Sequence, residues 1–295
     1  MPQHVTLETL NTCGTAGFVR LLDGIFEEAP WVADRAAARR PFATVSALHD
    51  GLMAEVMQAS ERDRIAFVAG HPDLAGKAAR AGAIAPASIE EQAGLGLDHL
   101  SEEEFARFEE FNAAYRQKFG FPFVICVRRQ TRDAVLDTFE RRLGNDSSAE
   151  LDAAFAEIAF ITRLRLVEQV KGDGAPIVTG RLSTHVLDTY HGRSAAGVAI
   201  ELYEIGRSAR ACLLETRTNS DGRTDKPLIA GAPLRIGTYE LLFHMGDYFR
   251  ACGVALPRRP FLDVVPIRFG ISEPEGHYHI PLVATPWSYS TYRGS

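Results

Sequence analysis

Histidine, carboxylate, amide and arginine side chains stand at spacings that could move protons in two separate stretches of this chain. The first runs from His71 to Gln92. His71 precedes Pro72, and proline keeps the residue before it out of the α region. An exposed histidine at a fixed turn, rather than one packed on a helix face, is therefore expected. Ser88 followed by Glu91 has the spacing of a capping box, which would place Glu91 and Gln92 in the first turn of a short helix, facing whatever occupies its start. The plain alternative is a loop histidine and an ordinary cap.

The second set is spread over the last third of the chain. His185 sits in Ser183-Thr184-His185-Val186-Leu187-Asp188, and Arg223 follows the turn signal Asn219-Ser220-Asp221-Gly222. His277 and His279 are two residues apart and so share one face of a strand. An H-x-H pair could ligate a metal with His185 as a further ligand. A metal-free arrangement is simpler, with imidazoles as acid and base and arginine as a permanent cation. Half-buried strand histidines with local hydrogen bonds remain the plain alternative.

The elements that must position these groups change character at Lys171-Gly172-Asp173-Gly174-Ala175-Pro176. Before it, apolar residues recur every three or four positions, as in helices. One helix is expected from near Thr15 to before Pro30, and another from Val45 to Met57. Ser101-Glu102-Glu103-Glu104 opens a third through a capping box, which Gly120 closes. Asp133–Leu143 and Ser148–Val170 follow, with Phe121–Ile125 as one strand-like piece. Beyond the pivot, short alternating runs predict strands at Leu182–Leu187, Val198–Ile205, Ala211–Thr218, Thr238–Phe243, Val264–Phe269, His277–Val283 and Ser288–Tyr292, with a helix at Met245–Gly253. The expected organisation is an all-α domain over residues 1–170, a linker over 171–176 and an antiparallel β-sandwich over 177–295.

Composition narrows the function classes. The hydrophobic and charged fractions, 46% and 24%, are those of globular domains, and no apolar run approaches a membrane span. Met1-Pro2-Gln3-His4 opens no signal peptide. Cys13, Cys126, Cys212 and Cys252 form no C-x-x-C pair, which suits a reducing compartment, and a cytoplasmic location is expected. Residues 1–170 carry 18 Lys/Arg against 26 Asp/Glu, and residues 171–295 carry 14 against 12. Neither half has a nucleic-acid footprint. Arginine dominates the second half's cations, which suits recognition of small anions.

In the first domain, His71-Pro72-Asp73-Leu74, Ser88-x-x-Glu91-Gln92, Phe119-Gly120-Phe121-Pro122-Phe123-Val124 and Leu164-Arg165-Leu166 resemble 2-oxo-4-hydroxy-4-carboxy-5-ureidoimidazoline (OHCU) decarboxylase. The resemblance implies a catalytic His71, with Ser88, Glu91, Gln92 and Arg165 holding substrate; Arg163 competes for the arginine role. In the second, Leu182–Thr189, Thr218-Asn219-x-Asp221-Gly222-Arg223, His277–Leu282 and the closing Ser288–Ser295 resemble the transthyretin-like 5-hydroxyisourate (HIU) hydrolases. That resemblance implies catalytic His185, Arg223 and His279, with Tyr292 and Ser295 of the closing segment binding substrate. It also implies a homotetramer through the C-terminal domain, with sites between dimers. Together they imply a bifunctional enzyme of urate catabolism, hydrolysing HIU to OHCU and decarboxylating OHCU to (S)-allantoin. It would need no cofactor or metal, and its partners would be these small molecules, without nucleic acid or membrane. The rival reading is a transthyretin-like carrier of a small ligand with an accessory helical domain.

Overall fold

The computed structural model describes residues 4–76, 81, 83–207 and 209–294. It divides into two units, one of Met1–Arg128 with Val135–Val178, the other of Arg129–Ala134 with Thr179–Ser295. The short segment Arg129–Ala134 thus groups with the sandwich, where Gln130 bridges to Ile236.

The first unit is helical: α1 Leu7–Thr12, α2 Thr15–Leu21, α3 Pro30–Ala36, α4 Val45–Gln58, α5 Glu61–Ala69, α6 Pro86–Ala93, α7 Glu102–Phe119, α8 Arg132–Arg142 (which begins in the other unit) and α9 Ser147–Gln169. Caps start most of the long helices. Thr44, Ser60 and Asp146 each accept a first-turn amide, and Ser101 and Glu104 complete the expected box. Gly120 ends α7 at φ 79°. The helix expected between Thr15 and Pro30 stops at Leu21, and Gly24 at φ 81° carries the chain through a turn.

Phe108, Tyr115 and Phe119 line the inner face of α7, and the Tyr115 ring meets Phe119, Phe121, Phe123 and Phe139. Phe121–Ile125 is buried but forms no strand; the alternation that suggested one comes from core packing. Buried backbone groups need partners, and side chains supply them here. Arg142 Nη1 donates to the Val124 carbonyl at 2.8 Å, and Glu157 accepts from the Cys126 amide at 2.9 Å. Arg142 in turn donates through Nε to Glu150 at 2.8 Å, a fully buried carboxylate.

The stretch expected as a linker is held by the helical unit. Val170–Lys171 (β2) pairs in parallel with Val5–Thr6 (β1). The carbonyls of Asp173 and Gly174 accept from Val45 N and Ser46 N, satisfying first-turn amides of α4. Gly174 sits at φ 60°, where a Cβ would lie 2.7 Å from Thr44 Cγ2.

The second unit is a sandwich. One sheet orders β11 (Tyr289–Thr291), β10 (His277–Ala284), β3 (Arg181–Asp188) and β4 (Arg193–Ser194), with β7 (Ile229–Ala230) also on β3. The other orders β6 (Arg210–Arg217), β5 (Ala199–Ile205), β8 (Gly237–His244) and β9 (Val264–Ile271). Pairing is antiparallel apart from β3 with β10, which run parallel with Ser183 opposite His279. Between the sheets lie Leu182, Val186, Ile200, Leu202, Leu241, Phe243, Ile280 and Leu282, and the helix α10 (Met245–Ala251) adds Met245 and Phe249.

Candidate active sites

In the helical unit, one recess, partly open to solvent, gathers His71, Ser88, Glu91, Gln92 and Arg165. His71 follows the end of α5. Its ring stands edge-on against Phe67, with centroids 5.3 Å apart, and Nδ1 lies 3.1 Å from the Phe67 carbonyl. The expectation of an exposed histidine is thus corrected, because the helix end directs the ring inward, where it is half-buried. A carbonyl can only accept, so Nδ1 carries the proton and Nε2 keeps its lone pair. Burial holds the His71 pKa below the ordinary value; the Phe67 carbonyl and Glu27 act the other way, and Arg165 adds to the lowering.

Ser88, Glu91 and Gln92 come from α6, but not through a capping box. Pro86 takes the first helical position after Ala85, so Ser88 lies inside the helix and Glu91 and Gln92 fall in its second turn. Ser88 instead donates to Glu27 at 2.9 Å and accepts from Arg165 Nη2 at 3.1 Å. Gln92 Oε1 accepts from the Ala75 amide at 2.9 Å, which leaves its NH2 group for a ligand. Arg165, from α9, is buried and forked on Glu91 at 2.9 and 2.7 Å, with Nη1 donating to Glu27 at 3.1 Å. Arg163 does not line the recess; its guanidinium lies over Phe160. The sequence reading missed Glu27. It is buried and joins Ser88 and Arg165; apolar spacing had assigned its stretch to a helix that in fact ends at Leu21, and nothing in that pattern marks a carboxylate as turned inward.

In the sandwich the second set falls on the outward side of one sheet. Leu182, Thr184 and Val186 of β3 point inward, so Ser183 and His185 point out, and His277 and His279 of β10 share that side. His185 bridges to Arg223 across the chain, and the Val186 amide donates to the Gly222 carbonyl at 2.8 Å. Gly222, at φ 72°, permits this approach, since a Cβ would lie 2.4 Å from the Val186 carbonyl oxygen. His185 Nε2 is covered and has no hydrogen-bond partner among the described residues. Burial lowers the pKa of both His185 and His279. Arg223 adds to each, and for His279 so do His185, His277 and Arg181. These groups therefore feel one another.

The closing segment reaches the cluster through Gly294. Its amide donates to the His279 carbonyl at 2.8 Å, and a Cβ there would lie 2.7 Å from His279 Cδ2. Arg293 holds the segment in place, lying over Tyr278 at 4.5 Å and reaching Glu273 at 3.2 Å. Tyr292 is exposed, and Ser295 lies outside the described residues. Among the described residues no three of His, Cys, Asp and Glu gather as metal ligands, and both His277 and His279 turn to Ser183 instead.

A helical unit with a histidine–carboxylate–arginine recess, and a sandwich with a histidine–arginine cluster, define a two-domain enzyme suited to acid–base chemistry on small anionic rings. The chain belongs to the OHCU decarboxylase family, whose profile matches residues 11–167, and to the HIUase/transthyretin family, matched over residues 182–294. It is 35% identical over 170 residues to 2-oxo-4-hydroxy-4-carboxy-5-ureidoimidazoline decarboxylase of Haloferax volcanii, covering 58% of this chain and 99% of that protein. It is 56% identical over 117 residues to 5-hydroxyisourate hydrolase 2 of Rhizobium meliloti, covering 40% of this chain and 98% of that protein. A crystal structure of (S)-allantoin synthase matches 99% of this chain and 100% of its own at 32% identity, with a TM-score of 0.53.

Proposed function

We propose that the sandwich hydrolyses HIU through His185, Arg223 and His279, and that the helical recess decarboxylates the resulting OHCU through His71. The chain is a bifunctional enzyme of urate degradation, with hydroxyisourate hydrolase and OHCU decarboxylase activities. The observation that carries the residue assignment is the convergence of His71, Ser88, Glu91, Gln92 and Arg165 on one recess from three separate parts of the chain.

In decarboxylation, loss of CO2 leaves charge that the heterocycle spreads, so the protein's work is orientation and delivery of one proton to one face. Arg165 meets the substrate's anionic charge, and Ser88, Glu91 and the Gln92 NH2 group bind ring and ureido groups. His71, its Nδ1–H fixed by Phe67, handles the proton through Nε2. In the sandwich, His185 and His279 pass protons between water and the departing ring nitrogen, while Arg223 stabilises the oxyanion. Tyr292 and Ser295 complete the substrate site.

The outward placement of the sandwich cluster favours a homotetramer, in which another subunit would close over this side. Four free cysteines favour a cytoplasmic setting. Among the described residues no helix is long and apolar enough to cross a membrane.

The test generates HIU with urate oxidase and follows ultraviolet absorbance and optical rotation. His71→Ala should consume HIU at the normal rate yet yield racemic allantoin. His279→Ala should slow HIU loss and leave decarboxylation of supplied OHCU intact. Chiral product at near-normal rate from His71→Ala would reject the decarboxylase assignment.

A further inference from the structure

Ser183 stands between two histidines. Its Oγ lies 3.0 Å from His279 Nδ1 and 3.1 Å from His277 Nε2, and the serine is buried while His277 is exposed. The parallel register creates this arrangement. Ser183 is opposite His279, and His277 lies two residues back on the same side of the neighbouring strand. We propose that Ser183 and His277 are positioning residues for the hydrolase, setting the tautomer of His279 and linking it to solvent. This rests on the reading of His279 as an acid–base group.

A hydroxyl carries one hydrogen, so Ser183 can donate to only one ring nitrogen and must accept from the other. In one direction His279 Nδ1–H donates to Ser183 Oγ, and Ser183 donates to His277 Nε2. His279 Nε2 then keeps its lone pair and can take a proton from the attacking water. In the other direction His277 Nε2–H donates to Ser183, and Ser183 donates to His279 Nδ1. His279 Nε2 then carries the hydrogen and can give it to the departing ring nitrogen.

The relay lets His279 present both forms in turn during lactam hydrolysis. Once Nε2 has taken the water proton, His279 passes its Nδ1 proton to Ser183 as Ser183 passes its own to His277 Nε2. His277 releases its Nδ1 proton to solvent. When Nε2 later protonates the leaving nitrogen, the chain runs backward and His277 recovers a proton from solvent. No proton is gained or lost over the cycle. His71 provides a contrast, because a backbone carbonyl locks its Nδ1 and permits one tautomer only.

The groups facing His279 are Arg223, His185, His277 and Arg181, and each lowers its pKa. Replacing His277 by glutamine keeps an acceptor for Ser183 but removes one of these influences. The His279 pKa should therefore rise, and the acid limb of hydrolysis should move to higher pH.

The experiment measures kcat, KM and the pH profile of HIU hydrolysis by the full chain carrying Ser183→Ala, Ser183→Thr, His277→Gln or His279→Ala. Decarboxylation of supplied OHCU reports the integrity of the other unit, and circular dichroism that of the sandwich. Ser183→Ala should lower kcat about 100-fold, the lower end of what a positioned proton transfer contributes, with KM within about twofold. Ser183→Thr should restore most of the rate. His277→Gln should shift the acid limb upward with a smaller loss of kcat. Unchanged kcat and pH profile in Ser183→Ala and His277→Gln, alongside an inactive His279→Ala, would overturn the relay and leave the site standing. An active His279→Ala would instead overturn the site reading beneath it. Should Ser183→Ala fail to fold, kcat of His277→Gln decides alone, since His277 is exposed and glutamine cannot pass a proton on: a lowered kcat supports the relay and an unchanged kcat overturns it.

Discussion

Glu27 sits where an anionic substrate must go, and its chemistry follows from charge. With His71 neutral, the recess holds two carboxylates, Glu27 and Glu91, against one guanidinium, Arg165, which donates to both. The substrate carboxylate has to compete for that guanidinium. Glu27→Gln keeps an acceptor for Ser88 and removes one competitor, so KM for OHCU should fall several-fold. Steady-state kinetics decide, and a raised KM would mean instead that Glu27 holds Arg165 in its binding position. In the other site the sensitive position is Gly294. A methyl group there would press on the His279 ring at 2.7 Å, and the backbone bond beside it allows little retreat. Gly294→Ala should cost at least about tenfold in hydrolysis, on the scale of misplacing a reacting group, with decarboxylation unchanged. Equal rates in both assays would show that the tail does not position His279.

Between elements, the junction of α4 and α9 contains a histidine with no catalytic place. His49 is buried, and its Nε2 lies 3.0 Å from Thr162 Oγ1. Burial, aided by Arg163, lowers its pKa from 6.5 to about 4. Because the folded value lies below the unfolded one, the unfolded chain binds more protons between them. The neutral ring's contribution is therefore complete above pH 6.5 and declines as pH falls toward 4, by on the order of 3 kcal/mol if the whole shift is expressed. Urea unfolding at pH 7 and pH 4.5 should show His49→Gln losing less stability across this interval than the parent. An equal loss in both proteins would remove His49 from the account. The other elements were largely written in local pattern. Ser101, Glu104 and Gly120 bound α7 where their types and spacing require, and alternation located every long strand of the sandwich to within a residue or two. Ser88 misled because Pro86, two residues earlier, is the stronger helix starter.

For the whole molecule, fusion delivers the two activities in a fixed one-to-one ratio. The proposed assembly rests on the sandwich. Its cluster lies on the side of the sheet turned away from the sandwich core, and Tyr289, Tyr292 and Trp287 are exposed large side chains of the closing stretch. A homotetramer is therefore the expected active species, and sedimentation equilibrium should give four times the chain mass. A monomer with full hydrolase activity would refute that expectation.

Local sequence was enough to define two domains of different class and the long strands, because periodicity and caps act over a few neighbouring residues; the candidate site residues came instead from motifs that resemble two known families. It could not place Glu27 beside Arg165, 138 residues away, turn His71 inward onto Phe67, or set one serine between His277 and His279. Those pairings depend on which helix ends converge and on the parallel register of two strands. Both are settled only when distant segments bury their apolar faces together, and so belong to the tertiary fold.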